Sequence, residues 1–203
     1  MKIGLRMLKI SLFFNLFPRF LGFLTASLST RNASKSEISV LCLSRELFSK
    51  DISALREYGK FCYVSVFRGY NLFQRIWTSR ESREQTLYQQ RVKKLSRYQR
   101  RAQVIYSLSV ISFACRHRNP YIVLSANIDY WQDRGFLVAC KYLKIKFVAL
   151  CKENPVVPNE IKKCHDWYHD LRYKFHGDLI LVASTTARDA YRSSLPSFPA
   201  EKI

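Results

Sequence analysis

Residues 121–127 read YIVLSAN, a short apolar run that ends in a small polar cluster. An amphipathic stretch follows, and the same junction recurs along the chain. The other junctions join Ile38–Leu43 to residues 44–46, Phe147–Cys151 to 152–154 and Leu179–Ala183 to 184–186. Runs that are apolar throughout are typical of strands buried on both faces. Their alternation with helical stretches predicts an α/β fold, with a Rossmann-like parallel sheet of about five strands and helices on both faces.

Turn and cap signals divide the rest of the chain into elements. The five predicted strands are Ile38–Leu43, Phe61–Phe67, Tyr121–Leu124, Phe147–Leu150 and Leu179–Ala183. Helices are predicted over 50–58, 83–116, 130–143, 158–175 and 185–193. Ser49 and Asp129 suit N-caps, and Pro158 suits the first turn of a helix. The aromatic, basic stretch 68–82 and the tail 195–203 are predicted to be irregular.

Polar residues that follow the predicted strands are the candidate site residues. Ligands of parallel sheets bind beyond the carboxyl ends of the strands, so these residues should gather at one edge. Hydroxyl and amide groups suit sugar hydroxyls, lysine can meet a phosphate, and glutamate can act as a base. The alternative is that they only cap the helices that follow. The candidates are Ser44, Arg45, Glu46, Ser125, Asn127, Tyr130, Gln132, Lys152, Glu153 and Ser184.

Composition indicates a folded, strongly basic protein. The chain has 203 residues, 48% of them hydrophobic and 14% aromatic, which argues against disorder. Its formal net charge of +19 predicts attraction to polyanions such as nucleic acid, an anionic membrane or phosphate-bearing substrates. Charge alone does not choose among these partners.

The cysteines and the missing glycine motifs narrow the function further. The six cysteines are scattered, with no CxxC pair, and most lie in apolar runs. They are interpreted as reduced core residues of a cytoplasmic protein.

No GxGxxG, P-loop or GxSxG motif follows a predicted strand, which argues against the usual dinucleotide, nucleotide and hydrolase sites.

The N-terminal segment 1–37 differs from the rest. Residues 1–28 are rich in Leu and Phe, but Asn15, Pro18 and Arg19 interrupt the apolar run, which argues against a continuous membrane span. An amphipathic segment lying at a membrane surface is expected. The alternatives are a helix packed on the domain or a frayed end, and a cleaved signal peptide or spanning segment. The polar stretch Ser29–Glu37 is predicted to be a linker.

The strongest charge feature lies in the predicted helix 83–116. Its basic residues hardly mix with acids, which favours contact with phosphates or membrane headgroups over a merely solvated helix face. They are Arg91, Lys93, Lys94, Arg97, Arg100 and Arg101.

His165 and His169 stand four residues apart on a predicted helix, a spacing that can bind zinc when further ligands are present. The pattern is not HExxH, and an exposed polar helix face is the favoured interpretation. No metal and no cofactor are expected.

Three polar junctions together resemble a known family. They are residues 44–48 (SRELF), 125–132 (SANIDYWQ) and the pair Lys152-Glu153. As a set they resemble the N-terminal half of bacterial surface-polysaccharide glycosyltransferases of the two-domain GT-B architecture. The resemblance covers residues 38–203.

The resemblance implies that this half holds a lipid-linked or saccharide acceptor, while a C-terminal domain holds the nucleotide sugar, without a bound metal ion. Glu46, Asn127, Lys152 and Glu153 would then face the interdomain cleft. Residues 199–203 (PAEKI) resemble the segment that leads into the donor domain. The expected organisation is therefore an N-terminal segment to residue 37, a Rossmann-like domain over 38–194, and the start of a linker over 195–203.

On this interpretation the lone chain is an acceptor-side half that is inactive without a donor domain. It is expected in the cytoplasm, at the inner face of the plasma membrane. The alternative is a non-catalytic, basic Rossmann-like module that binds nucleic acid or anionic membrane.

Overall fold

The computed structural model describes residues 2–31, 38–43, 50, 53–54, 61–78, 97–115, 120–128, 130–151, 155, 157–169 and 174–203. The strands are β1 (Thr30–Arg31), β2 (Ser39–Cys42), β3 (Cys62–Ser65), β4 (Ile122–Ser125), β5 (Lys146–Cys151) and β6 (Leu179–Val182). The α-helices are α1 (Lys2–Leu28), α2 (Tyr70–Gln74), α3 (Arg97–Ala114), α4 (Arg134–Leu143), α5 (Pro158–Tyr168) and α6 (Thr185–Ser194). Trp131–Asp133 and Ala200–Lys202 form short 3-10 helices.

The strands form one sheet in the order β1-β3-β2-β4-β5-β6, flanked by helices. All five predicted strands are present and pair in parallel, so the predicted α/β fold class is confirmed. The sixth strand was not predicted. Thr30 and Arg31, expected in a linker, pair antiparallel with β3 as an edge strand. Arg31 also donates a hydrogen bond to the Cys62 sulfur at 2.9 Å, which helps to hold this edge in place.

Alternation along the strands produces two apolar clusters, one on each face of the sheet. The first cluster contains Leu41, Val64 and Val123, which are neighbours across three strands, together with residues of α3 and α4. The second cluster contains Val40, Cys42, Tyr63, Leu124, Ala126 and Val148. Both faces are therefore apolar, as the continuous apolar runs predicted.

Helix α3 packs against the first cluster and lies between α1 and α4. Gly22 of α1 allows the closer approach: a Cβ there would lie 2.6 Å from the Ser109 Cβ and 2.7 Å from the Tyr106 carbonyl oxygen. The Thr25 hydroxyl, fully buried, lies 2.7 Å from the Tyr106 hydroxyl. One face of the described part of α1 therefore packs against the domain. This agrees with the alternative prediction that the segment is a helix packed on the domain. No helix in the described part of the chain, α1 included, is long and apolar enough to cross a membrane.

Several helix boundaries match the predictions. Pro158 lies in the first turn of α5, and α4 ends at Leu143, where Lys144 adopts a left-handed φ of 58°. Ser184 is the N-cap of α6, as in the alternative interpretation of the candidate site residues. Of the predicted helix 83–116, only α3 falls among the described residues, and most of the predicted helix 50–58 and its cap lie outside them.

Two predicted boundaries are wrong. Helix α5 ends at Tyr168 rather than near Phe175, whose ring instead packs against Phe147 and Phe198 in the core. The tail is more ordered than predicted, because Leu195 and Phe198 are buried in the same core. Burial of these apolar side chains holds Phe175 and the tail against the sheet.

Candidate binding site at the carboxyl edge of the sheet

The carboxyl ends of β2 to β6 lie along one edge of the sheet, here called the carboxyl edge. The chain passes from β2 to β3 on one side of β2, whereas β4 lies on the other side. In open α/β sheets, such a reversal of strand order opens a crevice beyond the carboxyl ends, where ligands bind. By this rule, the ligand crevice of this sheet is expected between the ends of β2 and β4.

The loop after β4 is built around Ser125. This residue is fully buried, and its hydroxyl oxygen lies 2.6 Å from Asp133 Oδ2 and 2.8 Å from the Asn127 carbonyl oxygen. The Asn127 amide donates back to it at 3.3 Å. Ser125 therefore shapes the loop from inside, rather than presenting its hydroxyl at the surface.

Asp133 joins this loop to α2. Its carboxylate is only 3% exposed and accepts a hydrogen bond from the Tyr70 hydroxyl at 3.0 Å. The Gln74 side chain donates to the Gln132 carbonyl oxygen at 3.0 Å. Because α2 follows β3 and the loop follows β4, these bonds bridge the carboxyl end of β2, which lies between those strands. They lie on the side of the first cluster, to which Tyr70 belongs.

Sequence reasoning missed Tyr70, Gln74 and Asp133. It placed the first two in an irregular aromatic stretch and did not single out the aspartate. The one available signal was the position of Asp133 among aromatic and apolar residues in YWQDRGF, where a carboxylate needs hydrogen-bond partners.

Three predicted residues offer polar groups near the outside of the same loop. Asn127, Tyr130 and Gln132 are each half-buried. The Asn127 side-chain oxygen accepts a hydrogen bond from the Ile128 amide at 2.6 Å, which orients the amide group and leaves its NH₂ as the donor. The Tyr130 ring packs against the second cluster. The loop thus combines an apolar ring with hydroxyl and amide groups.

Ser184 lies at the carboxyl edge, two strands from β4, or about 10 Å at ordinary strand spacing. Its hydroxyl oxygen accepts a hydrogen bond from the Ala187 amide at 3.1 Å and caps α6. The capping role explains this residue fully. The remaining candidates of this edge, Ser44, Arg45, Glu46, Lys152 and Glu153, lie outside the described residues, as does Asp129.

Part of the predicted basic run lies at the start of α3. Arg97, Arg100 and Arg101 are exposed, while Ala102 and Tyr106, which follow on the same helix, are fully buried. The 18 residues of α3 include no Asp or Glu. The helix therefore presents unmixed positive charge at one end and an apolar core face at the other. Arg91, Lys93 and Lys94 lie outside the described residues.

The histidine pair forms a stack. The rings of His165 and His169 lie 4.2 Å apart, centre to centre, with 23° between their planes. Within the described ranges, no three His, Cys, Asp or Glu side chains gather as metal ligands. The two histidines therefore stack on each other at the end of α5.

All six cysteines are buried and unbridged, as sequence reasoning predicted. Burial raises the pKa of Cys115 to about 12, with Cys62 adding to the rise and Arg31 opposing it. Burial also raises the pKa of Cys140 to about 12, helped by Asp178. Such thiols stay protonated near neutral pH and act as small apolar side chains rather than nucleophiles.

Comparison of the chain with protein-family models, with curated proteins and with solved structures finds no match. The features that bear on function are therefore those of the molecule itself. They are the expected crevice between β2 and β4, the exposed arginines of α3 and the surface of α1.

Proposed function

We propose that the chain is the acceptor-side domain of a glycosyltransferase for cell-surface polysaccharide synthesis. The observation that supports this function best is the bridge from α2 to the loop after β4, through Tyr70 and Asp133. The bridge lies beside the position where sheets of this type bind ligands. Asn127, Tyr130 and Gln132 belong to the same loop, and their amide and hydroxyl groups suit a saccharide.

The chain's own part in the reaction is to bind and orient the acceptor. A planar ring packed on the core, such as that of Tyr130, can lie against the apolar face of a sugar, while amide groups pair with its hydroxyls. Holding the acceptor hydroxyl in a reactive position lowers the activation barrier of sugar transfer. The acceptor loses its translational and rotational entropy when it binds, so this loss does not add to the reaction step. The resembled architecture assigns the nucleotide sugar to a second domain and uses no metal ion.

Acceptor binding can be tested by amide NMR with a panel of soluble saccharides and farnesyl phosphate as probes. We expect a binding probe to shift the signals of residues 125–132, including the Trp131 indole NH, which lies within this loop. The variant Asn127→Ala/Gln132→Ala should weaken that binding about tenfold or more, since each lost hydrogen bond is worth about 1 kcal/mol.

The matched control is Tyr121→Ala, at the amino end of β4, where the side chain is 65% exposed. It should bind the probe as the wild type does. Shifts confined to the amino edge of the sheet, or no shift with any probe, would contradict the proposed function.

We also propose that the chain works at the cytoplasmic face of the plasma membrane. The exposed Arg97, Arg100 and Arg101, on a helix without acids, support an anionic surface as the partner. The competing partner is nucleic acid, but among the described residues beside these arginines at the start of the helix, Tyr98 is the one exposed aromatic ring for stacking on bases. The anionic membrane is therefore the preferred partner.

A further inference from the structure

Over residues 15–28, helix α1 has two opposite sides with apolar residues, and the domain buries only one of them. The inner side, with Leu21, Gly22 and Thr25, packs against α3 and is buried. On the outer side, Leu16 is 57% exposed, Phe20 58% and Phe23 48%. An apolar helix face is normally packed against an apolar environment.

Three of the exposed apolar residues of α1 form one continuous stripe. Leu16, Phe20 and Phe23 follow each other at helical spacings of four and three residues, so their side chains lie along one face. Phe113 of α3 extends the stripe: it is 37% exposed, and its ring meets that of Phe23 edge to face at 5.1 Å. These four residues are called the outer stripe. A contiguous exposed apolar stripe marks an interaction site, unlike apolar residues scattered singly.

The charge around the outer stripe decides between occupants. Residues 1–36 contain no Asp or Glu, and Arg19, next to Phe20, is exposed. A second copy of the chain would bring another net charge of +19 to the same surface, and the two copies would repel each other. An anionic lipid surface has the opposite charge and offers hydrocarbon to the stripe.

We propose that the outer stripe inserts into the boundary between the headgroups and acyl chains of an anionic lipid bilayer. Helix α1 then lies in the plane of the membrane, with its outer stripe about 5–10 Å below the headgroups and its inner side still packed on α3. The long side chain of Arg19 reaches back to the phosphates. This inference rests on the proposed membrane location and is independent of acceptor binding.

The test is vesicle co-sedimentation of the full chain with phosphatidylglycerol vesicles at about 0.1 M and about 1 M salt. The variant is Leu16→Gln/Phe20→Gln/Phe23→Gln. Its control is Leu72→Gln/Ile76→Gln/Val138→Gln, which removes three other exposed apolar side chains. We expect the stripe variant to lose binding about tenfold or more at both salt concentrations, because apolar insertion resists salt. The control should bind as the wild type does.

Insertion is tested directly with a polarity-sensitive fluorophore on Phe20→Cys, and on Leu72→Cys as control, since the native cysteines are all buried. Vesicles should shift the emission of the label at position 20 to the blue and leave that at position 72 unchanged. If the stripe variant binds as the wild type does, the inference is wrong, although the membrane location stands. If the wild type ignores the vesicles, both are wrong, while binding of saccharide probes would still support the acceptor function.

Discussion

At the scale of single residues, Asp133 is the most consequential side chain of the candidate site. It is buried, and two hydroxyl groups, from Tyr70 and Ser125, lie within hydrogen-bond distance of its carboxylate. Burial of a carboxylate is costly unless its oxygens are satisfied, so the three residues depend on one another. These hydrogen bonds hold α2 and the loop after β4 in fixed positions relative to each other.

We predict that Asp133→Ala lowers the free energy of unfolding by about 2–4 kcal/mol, because the buried hydroxyls of Tyr70 and Ser125 lose the carboxylate as a hydrogen-bond partner. Tyr70→Phe should cost less, about 1 kcal/mol. Urea denaturation measures both changes. The control is Asp189→Ala, whose side chain is 65% exposed and which should change stability by less than about 0.5 kcal/mol. Equal effects of the two aspartate variants would show that the bridge adds nothing.

The buried thiols predict a loss of stability at high pH. Cys115 and Cys140 have a pKa near 12 in the folded chain, against an ordinary value of 9.0, so the folded state holds their protons more tightly. Their contribution is complete below about pH 9, and is lost as the pH rises towards about 12. The urea concentration at the midpoint of unfolding should therefore decrease as the pH is raised from about 9 to about 12. The decrease should be smaller in Cys115→Ala/Cys140→Ala. A midpoint that falls equally in both proteins would assign the loss to other groups.

At the scale of elements, glycine contacts set the position of α3. Gly22 brings α1 against one side of α3, and Gly135 brings α4 against another, where a Cβ would lie 2.6 Å from both the Gln103 carbonyl oxygen and the Ser107 hydroxyl. Backbone atoms cannot move aside as flexible side chains can. These contacts explain how both α1 and α4 pack closely against α3. The arginines at the start of α3 remain exposed.

Gly22→Ala should destabilise the chain by about 1–2 kcal/mol, although alanine is the better helix former by about 0.5–1 kcal/mol. The added methyl group has no room against α3. Ser27→Ala, on an exposed part of the same helix, makes the same kind of change in helix propensity without the clash. It should be neutral or slightly stabilising in urea denaturation. If Gly22→Ala were as stable as Ser27→Ala, α1 would not be packed as described.

At the scale of the whole molecule, charge and apolar surface point to the same partner. The net charge of +19 acts at long range, while the outer stripe of α1 acts only on contact. Both the outer stripe and the exposed arginines involve α3, through Phe113 and through Arg97, Arg100 and Arg101. Electrostatic attraction would bring the chain to a membrane, and the stripe would hold it there.

The charge contribution has its own test. Arg97→Gln/Arg100→Gln/Arg101→Gln should weaken binding to anionic vesicles about a hundredfold at about 0.1 M salt, since each basic residue near the surface is worth about 1 kcal/mol. At about 1 M salt the variant and the wild type should converge, because the Debye length shrinks to about 3 Å. The control is Lys162→Gln/Lys163→Gln/Lys174→Gln, three exposed lysines elsewhere. Stronger binding of the wild type to duplex DNA than to vesicles would favour the nucleic-acid alternative.

Sequence reasoning recovered the elements better than the site. The strands were predictable because each is a continuous apolar run, and Ser184 and Pro158 mark the starts of α6 and α5 by local chemistry. Strand β1 was not predictable, because two polar residues pair with β3 only once α1 has placed them beside it. The contact of Tyr70 with Asp133 spans 63 residues, and no local pattern encodes it.

The sequence by itself determined the fold class, the parallel strands and the excess of positive charge, because strand propensity, apolar periodicity and net charge are local or additive properties. Only the tertiary structure decided that Ser125 is buried, that Tyr70 and Asp133 join α2 to the loop after β4, and that residues 15–28 of α1 have one side buried and one apolar side exposed. Those properties depend on which distant residues meet. Burial and hydrogen bonding are set by the packed neighbours of a side chain, and not by its neighbours in sequence.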